Sequence, residues 1–367
     1  MTLLRLLETM LALSLQVTLI VAATACMARR FCRTEGSRDT LWTSCLVAIL
    51  LLPLADLGLP HLRLLPPPAT TIDPQTGLAI ERLASCGVWL IALWIAGAAF
   101  TLGRQALGFA RGVRLLRQTA LISPEKLPEP WGRLSATVSS MTFSEEGSTI
   151  RFLSTKELVS PYCWQLHRPM IVLPEFVLSF PADELTAVIR HELAHVRFRH
   201  PLWLFVQRLV EIIFWFHPAA RWTARQASRT REFVCDAAAA TAPEDAAALL
   251  RALLRLTNVS RGGSRSNLAS LATGETAGVL SERAKKLGSG NQGAPPRDRR
   301  SIRGLFPLAM AGAAMLLAWL PIDVAASRRS AWSPWPKWSA HALQSVGIAA
   351  RDYEVDAHRL RPHRHDQ

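Results

Sequence analysis

A chain of 367 residues has room for two modest domains, or for one domain and a membrane bundle. Half of its residues are apolar and only 19% are charged, a charged fraction low for a soluble protein of this length. Its 42 Lys and Arg against 28 Asp and Glu give a formal charge of +14. That balance suits nucleic acid, an anionic bilayer surface or the cytosolic loops of a membrane protein. The positive charges lie beside long apolar runs, so a lipid bilayer accounts for them and no direct nucleic-acid contact is expected. The cysteines, Cys26, Cys32, Cys45, Cys86, Cys163 and Cys235, form no CxxC pair, and several lie inside apolar runs. This excludes a disulfide framework and a thiolate zinc site and leaves them as packing residues.

A membrane-spanning helix needs about 20 apolar residues. Met10 to Ala28 carries no charge, and Arg29 and Arg30 follow it rather than precede it, the reverse of a secretory leader. Leu41 to Leu59 carries only Asp56. Leu83 to Gly103 is uncharged between Arg82 and Arg104, and Gly304 to Ile322 between Arg303 and Asp323. Arg29, Arg30, Arg33 and Arg38 place the first loop in the cytosol; Arg104, Arg111, Arg114 and Arg117 do the same after the third run, and Arg297, Arg299, Arg300 and Arg303 before the fourth. The segment 104–303 is therefore expected in the cytosol and both termini outside, although Arg328 and Arg329 pull the other way.

Within that segment, Thr149 to Leu153 and Arg168 to Leu173 read as strands. Pro181, Asp183 and Glu184 mark a helix start, and the helix should run to about His200, where Pro201 interrupts it. Trp203 to Phe216 reads as a buried or membrane-skimming helix, and Ala219 to Ala240 as a further one. From Asn258 to Arg300 the composition turns to Gly, Ser, Asn, Pro and Arg, the signature of a mobile linker, with a short helix allowed at Leu280 to Leu287. The expected organisation is a three-span membrane region over 1–103, a peptidase domain over 104–257, a flexible linker over 258–303, a fourth span over 304–326 and a short extracytoplasmic tail over 327–367.

The chemistry is concentrated in His191-Glu192-Leu193-Ala194-His195. A helix places histidines four apart on one face, where both imidazoles can share one Zn2+. Glu192 projects beside the metal, placed to take a proton from zinc-bound water and to return it to the leaving amine. A chance HExxH arises in about one chain of this length in a hundred. A third ligand is required, and Glu232 suits it, with Asp236 four residues on as an acceptor that orients one imidazole. The spacing equally allows Glu232 to pair with Arg229 or Arg231 on a solvated helix. Asp183, Glu184, Arg190, Arg197 and Arg199 flank the motif too densely for a lipid-embedded helix.

HELAH, the Trp215-Phe216-His217-Pro218 turn and Arg231-Glu232-Phe233-Val234-Cys235-Asp236 resemble the BlaR/MecR-type integral membrane zinc metallopeptidases, as do Ser160-Pro161 and Pro169-Met170-Ile171-Val172-Leu173-Pro174. The resemblance runs over roughly 1–325 and is strongest over 160–240. It implies a mainly α fold: a multi-span helical membrane bundle with a cytosolic HExxH zinc-peptidase domain of gluzincin-like α+β type. It implies that His191, His195 and Glu232 hold zinc, that Glu192 is the catalytic base, and that the strand near Ile171 holds an extended substrate by β-augmentation. It also implies a multi-pass protein of the bacterial cytoplasmic membrane. The substrate would be a cytosolic or membrane-associated protein, a transcriptional repressor among the candidates; homo-oligomerisation is left open.

Two departures stand out. The family commonly has an acidic residue five positions after the second histidine, where this chain has His200. The antibiotic-sensing members carry a penicillin-binding domain after the last span, where only Ser327 to Gln367 stand here, so direct β-lactam sensing is not expected. Trp332, Trp335 and Trp338 fit lipid headgroups better than a ligand surface. His217 is either an auxiliary site residue or a helix cap. The functional expectation is a zinc endopeptidase in regulatory signalling. Its rivals are a catalytically silent protease-like receptor or scaffold and a membrane quality-control protease; the intact Glu192 speaks against the scaffold.

Overall fold

The computed structural model describes residues 3–58, 74–128, 141–143, 148–158, 160–164, 169–262, 277–289 and 337–348, with 309 standing alone. The fourth apolar run, Gly304 to Ile322, lies outside the described residues except for 309, as does the tail except for 337–348.

Helices α1 (Leu3–Phe31), α2 (Glu35–Gly58) and α3 (Pro74–Arg117) account for the first three runs. Each contains a stretch long and apolar enough to cross a membrane: Met10–Phe31, Glu35–Ala55 and Gly87–Arg117. Thr34 opens α2, its hydroxyl accepting from the Ser37 amide at 3.3 Å as a Ser/Thr cap does. The third helix is longer than the apolar run that announced it. Its arginines, read as loop charges, continue the helix to Arg117, because arginine is a good helix former and no breaker intervenes. Trp89, Leu93, Phe100 and Phe109 stay exposed along it, a surface suited to lipid.

A small sheet follows. Strand β1 (Ala120–Leu121) and β2 (Met141–Phe143) both pair antiparallel with β3 (Ser148–Thr155). β4 (Tyr162–Trp164) pairs antiparallel with β5 (Met170–Pro174), and β5 pairs parallel with β3. The strands expected near 149–153 and 168–173 are therefore neighbours. Because β5 has a partner on each side, the Ile171 strand has no free edge for β-augmentation; on that side the edge is β4.

Helix α4 (Ala182–Arg197) packs on the sheet. Leu185, Val188, Ile189, Leu193 and Val196 form one helical stripe against Ile150, Phe152, Ile171 and Leu173. It starts after Pro181 with Asp183 and Glu184 in its first turn, where the helix dipole favours acids. It ends earlier than expected because Arg199 turns left-handed (φ 56°) and the chain restarts at α5 (His200–Ile213), with Pro201 in the first turn.

At about 1.5 Å per residue this 14-residue helix is too short to span a bilayer. α6 (Pro218–Ala239) then presents Ala220, Ala224 and Ala227 to Val17, Ile20, Leu41, Leu46 and Ile49 of α1 and α2. Small residues allow this close approach of helices. The segment after the sheet is thus joined to the first two apolar helices by a common core. α7 (Pro243–Gly262) and α8 (Ala277–Gly288) close over α4 and α6 through Leu249, Leu253 and Leu287. Residues 258–262 of the expected linker therefore continue α7, and the short helix allowed at Leu280 to Leu287 is present as α8. α9 (Lys337–Ser345) is the described part of the tail.

Candidate metal centre

The apolar stripe of α4 faces the sheet, which turns His191, Glu192 and His195 towards α6 and the end of β4. His191 Nε2 and His195 Nε2 lie 3.2 Å apart. The Glu232 carboxylate from α6 closes a triangle with them, at 3.5 Å from His191 Nε2 and 3.7 Å from His195 Nε2. A tetrahedral ion with bonds of about 2.0–2.1 Å spaces its ligand atoms roughly 3.3–3.4 Å apart. The three observed separations straddle that value, so the donor set fits zinc in both chemistry and size. The rival placement of Glu232 is not adopted: Arg229 pairs with Glu282, and Arg231 bonds Gln207 and the Ala227 carbonyl.

Each imidazole is braced from behind. Asp236 Oδ1 stands 3.1 Å from His191 Nδ1, the place expected for it. His200 Nδ1 stands 3.1 Å from His195 Nδ1, and Cys235 Sγ is 3.4 Å from the same His200 atom. Arg283 of α8, buried to 2% exposure, donates to both oxygens of Asp236 at 2.7 and 2.8 Å and reaches Glu232 at 3.2 Å. Arg283 was not among the expected residues. The signal for it is its place among Val279, Leu280 and Leu287, where an arginine interrupts the apolar stripe of a short helix.

The charges follow from these contacts. Burial works against the Glu232 charge, but His195, Arg283 and His191 outweigh it and hold the carboxyl well below the usual carboxylate range. Asp236 is likewise depressed, with Arg283 and His191 overcoming its burial. Burial disfavours a charged His191, yet its contacts with Asp236 and Glu232 win and push it up to about 10. Burial keeps His195 below its ordinary value, and burial with the neighbouring His195 drives His200 well below it, so both are neutral.

Glu192 is buried next to this triangle. Cys163, on the edge strand β4, donates its thiol proton to Glu192 Oε2 at 2.9 Å. Burial, and then the Glu192 charge, push that thiol well above its ordinary range. Reading this cysteine as packing alone missed its contact with the carboxylate; a three-residue strand leaves little periodic signal.

His217 does not join the cluster. It caps α6, its Nδ1 accepting from the Ala220 amide at 3.4 Å, while Nε2 donates to the Ser14 carbonyl of α1 at 3.1 Å. Of its two expected roles the structure gives the cap.

Known proteins are similar to this chain in sequence. The regulatory protein BlaR1 of Bacillus licheniformis is 34% identical over 85 residues, which are 23% of this chain and 14% of that protein. The methicillin resistance mecR1 protein of Staphylococcus aureus is 29% identical over 127 residues, 34% of this chain and 21% of its own. The mecR1 protein of Staphylococcus epidermidis matches to the same extent. The matched stretches thus take in about a fifth or less of these relatives. The sequence pattern described as BlaR1 peptidase M56 matches residues 72–285, from the start of α3 through the sheet, α4 and α6 to Arg283. That span is more than half of the chain and holds every residue of the triangle, so the chain belongs to the BlaR1 peptidase M56 family.

Proposed function

We propose that this chain is a membrane-anchored zinc endopeptidase that cleaves a cytosolic or membrane-associated protein in regulatory signalling. The observation that carries this reading is the triangle of His191 Nε2, His195 Nε2 and the Glu232 carboxylate, sized for one tetrahedral ion, with Glu192 beside it. Kinship with proteins named for regulation and resistance supports the signalling role. The arginines around the first three apolar helices support a cytosolic peptidase segment.

Zinc held there would polarise the scissile carbonyl and bring the pKa of a bound water to about 7. Glu192 takes the proton from the attacking water and delivers it to the leaving amine. The Cys163 thiol, by donating to one Glu192 oxygen, orients the carboxylate so that the other is left for that work. Asp236 and His200 hold the two imidazoles in place, and Arg283 balances the acidic pair on α6. An extended substrate would lie along the edge strand β4, where main-chain pairing would bring its scissile bond to Glu192.

The test compares cells carrying the wild type with cells carrying Glu192→Gln, by quantitative proteomics of cytosolic and membrane proteins. The peptidase reading expects intact substrate to accumulate with Glu192→Gln while zinc content stays the same. Equal protein profiles with equal zinc would leave a receptor or scaffold instead, and a broad set of accumulated membrane proteins would point to quality control.

A further inference from the structure

We infer that His200, with Asp39 of the membrane helix α2 behind it, is the positioning residue for His195, so that a membrane helix helps to set one ligand of the metal centre. The inference rests on the zinc reading above and deepens it.

The geometry leaves one arrangement of protons. His195 turns Nε2 to His191 and Glu232, so that nitrogen must be free of its proton to bind a metal. A neutral imidazole then carries its proton on Nδ1, which faces His200 Nδ1 at 3.1 Å. His200 Nδ1 must accept, and its own proton therefore sits on Nε2. That atom is buried and has no hydrogen-bond partner among the described residues, but the Asp39 carboxylate faces it at 3.9 Å. A negative charge there favours a proton on Nε2. Asp39 is itself held by the Thr230 hydroxyl of α6 at 3.3 Å.

The two ligand histidines thus have parallel supports from different parts of the chain. His191 leans on Asp236 and Arg283, from α6 and α8. His195 leans on His200 and Asp39, from α5 and α2. Asp39 and all of α2 precede the stretch matched by the family pattern, so this support joins the peptidase segment to the membrane bundle before it. Outer partners of metal-binding histidines fix ring orientation and tautomer, and losing one typically weakens metal binding about 10–100-fold.

Two rivals share the site. Cys235 Sγ also approaches His200 Nδ1, at 3.4 Å, and could be its true partner. His195, His200 and Cys235 also lie close enough together to grip an ion of their own.

The test is zinc affinity and stoichiometry of the full chain in detergent, by competition with a chromophoric chelator, together with the absorption spectrum of the cobalt-loaded protein. His200→Phe should bind zinc about 10–100-fold more weakly, still with one ion per chain, and should shift the cobalt bands. His200→Asn keeps an acceptor near the Nδ1 position and should recover most of that loss, which separates positioning from mere packing. Asp39→Asn should weaken binding in the same direction but less, and Cys235→Ala should leave it unchanged. The inference is overturned if folded His200→Phe binds as tightly as wild type, or if only Cys235→Ala weakens binding. It is overturned also if the wild type holds two ions and His200→Phe one, which would make His200 a ligand. A wild type that binds no zinc removes the zinc reading itself and this inference with it.

Discussion

Arg283 clasps Asp236 with two hydrogen bonds, of 2.7 and 2.8 Å, across 47 residues of sequence, and Asp236 in turn faces His191. The pair is buried on both sides, so removing the guanidinium strands a carboxylate where water cannot compensate it. Breaking a buried pair in this way costs about 3–5 kcal/mol. Arg283→Met should therefore lower the thermal unfolding temperature markedly in the metal-free protein. Added zinc should restore part of the loss, because it supplies positive charge beside Glu232. Unfolding curves with and without zinc decide this, and an unchanged metal-free midpoint would show the clasp to be dispensable.

A second close contact ties α3 to the turn after α5. Trp94 donates its indole N–H to the Ile213 carbonyl at 2.9 Å, and Trp215 donates back to the Trp94 carbonyl at 3.2 Å. Gly97 lies under the Trp215 ring: a Cβ there would stand 2.1 Å from Cε2. Gly97→Ala must push the indole aside and break its hydrogen bond, at a cost of about 1–3 kcal/mol. Gly103→Ala, with open space around it, serves as the control and should be neutral or slightly stabilising. Thermal unfolding of the two variants side by side makes the comparison, and equal midpoints would contradict it.

The residues of the site differ in how legible they are in the sequence. His191 and His195 are legible because one helical turn fixes their relation, and Glu232 with Asp236 because a second helix repeats the four-residue step. The strands at Ile150 and Ile171 announce themselves by β-branched runs. Arg283 does not, since its partners lie 47 and more residues away and its surroundings have the composition of a linker. Cys163 is hidden for the same reason: its meaning comes from Glu192 on another element. The arginines after Gly103 mislead in a different way. Charge marks the end of an apolar run, but it does not end a helix, and α3 continues through Arg104, Arg111 and Arg114 to Arg117.

The pH dependence of metal binding follows from His191. Its pKa in the metal-free protein is raised from 6.5 to about 10, so it holds a proton at pH 7 that a metal must displace. Glu232 is already ionised and His195 already neutral, and neither has a proton to give up. At pH 6, where a zinc-bound water of pKa about 7 keeps its proton, zinc binding should release about one proton, and affinity should rise about tenfold per pH unit from there towards pH 7. For the metal-free fold the sign is opposite. The stabilisation from charged His191 is complete below pH 6.5 and disappears as pH rises through about 10. Calorimetry in buffers of different ionisation enthalpy counts the proton; a count near zero would contradict the assignment.

Cys163 offers a probe of Glu192 that needs no substrate. Burial is the main reason its thiol resists ionisation, and the Glu192 charge adds to it. Glu192→Gln removes that charge, so Cys163 should alkylate severalfold faster than in the wild type at mildly alkaline pH. Peptide-resolved mass spectrometry of iodoacetamide labelling gives both rates in one experiment. An unchanged Cys163 rate would mean that the carboxylate does not face the thiol.

One ion held by His191, His195 and Glu232 is the centre of the proposed chemistry, and zinc content tests it most directly. Full-length protein purified without chelator should carry about one zinc per chain. Glu192→Gln should carry the same, because that carboxylate acts on water rather than on the metal, and Glu232→Ala should lose most of it. A wild-type chain without metal, or a Glu232→Ala variant that keeps its zinc, would contradict the proposed centre.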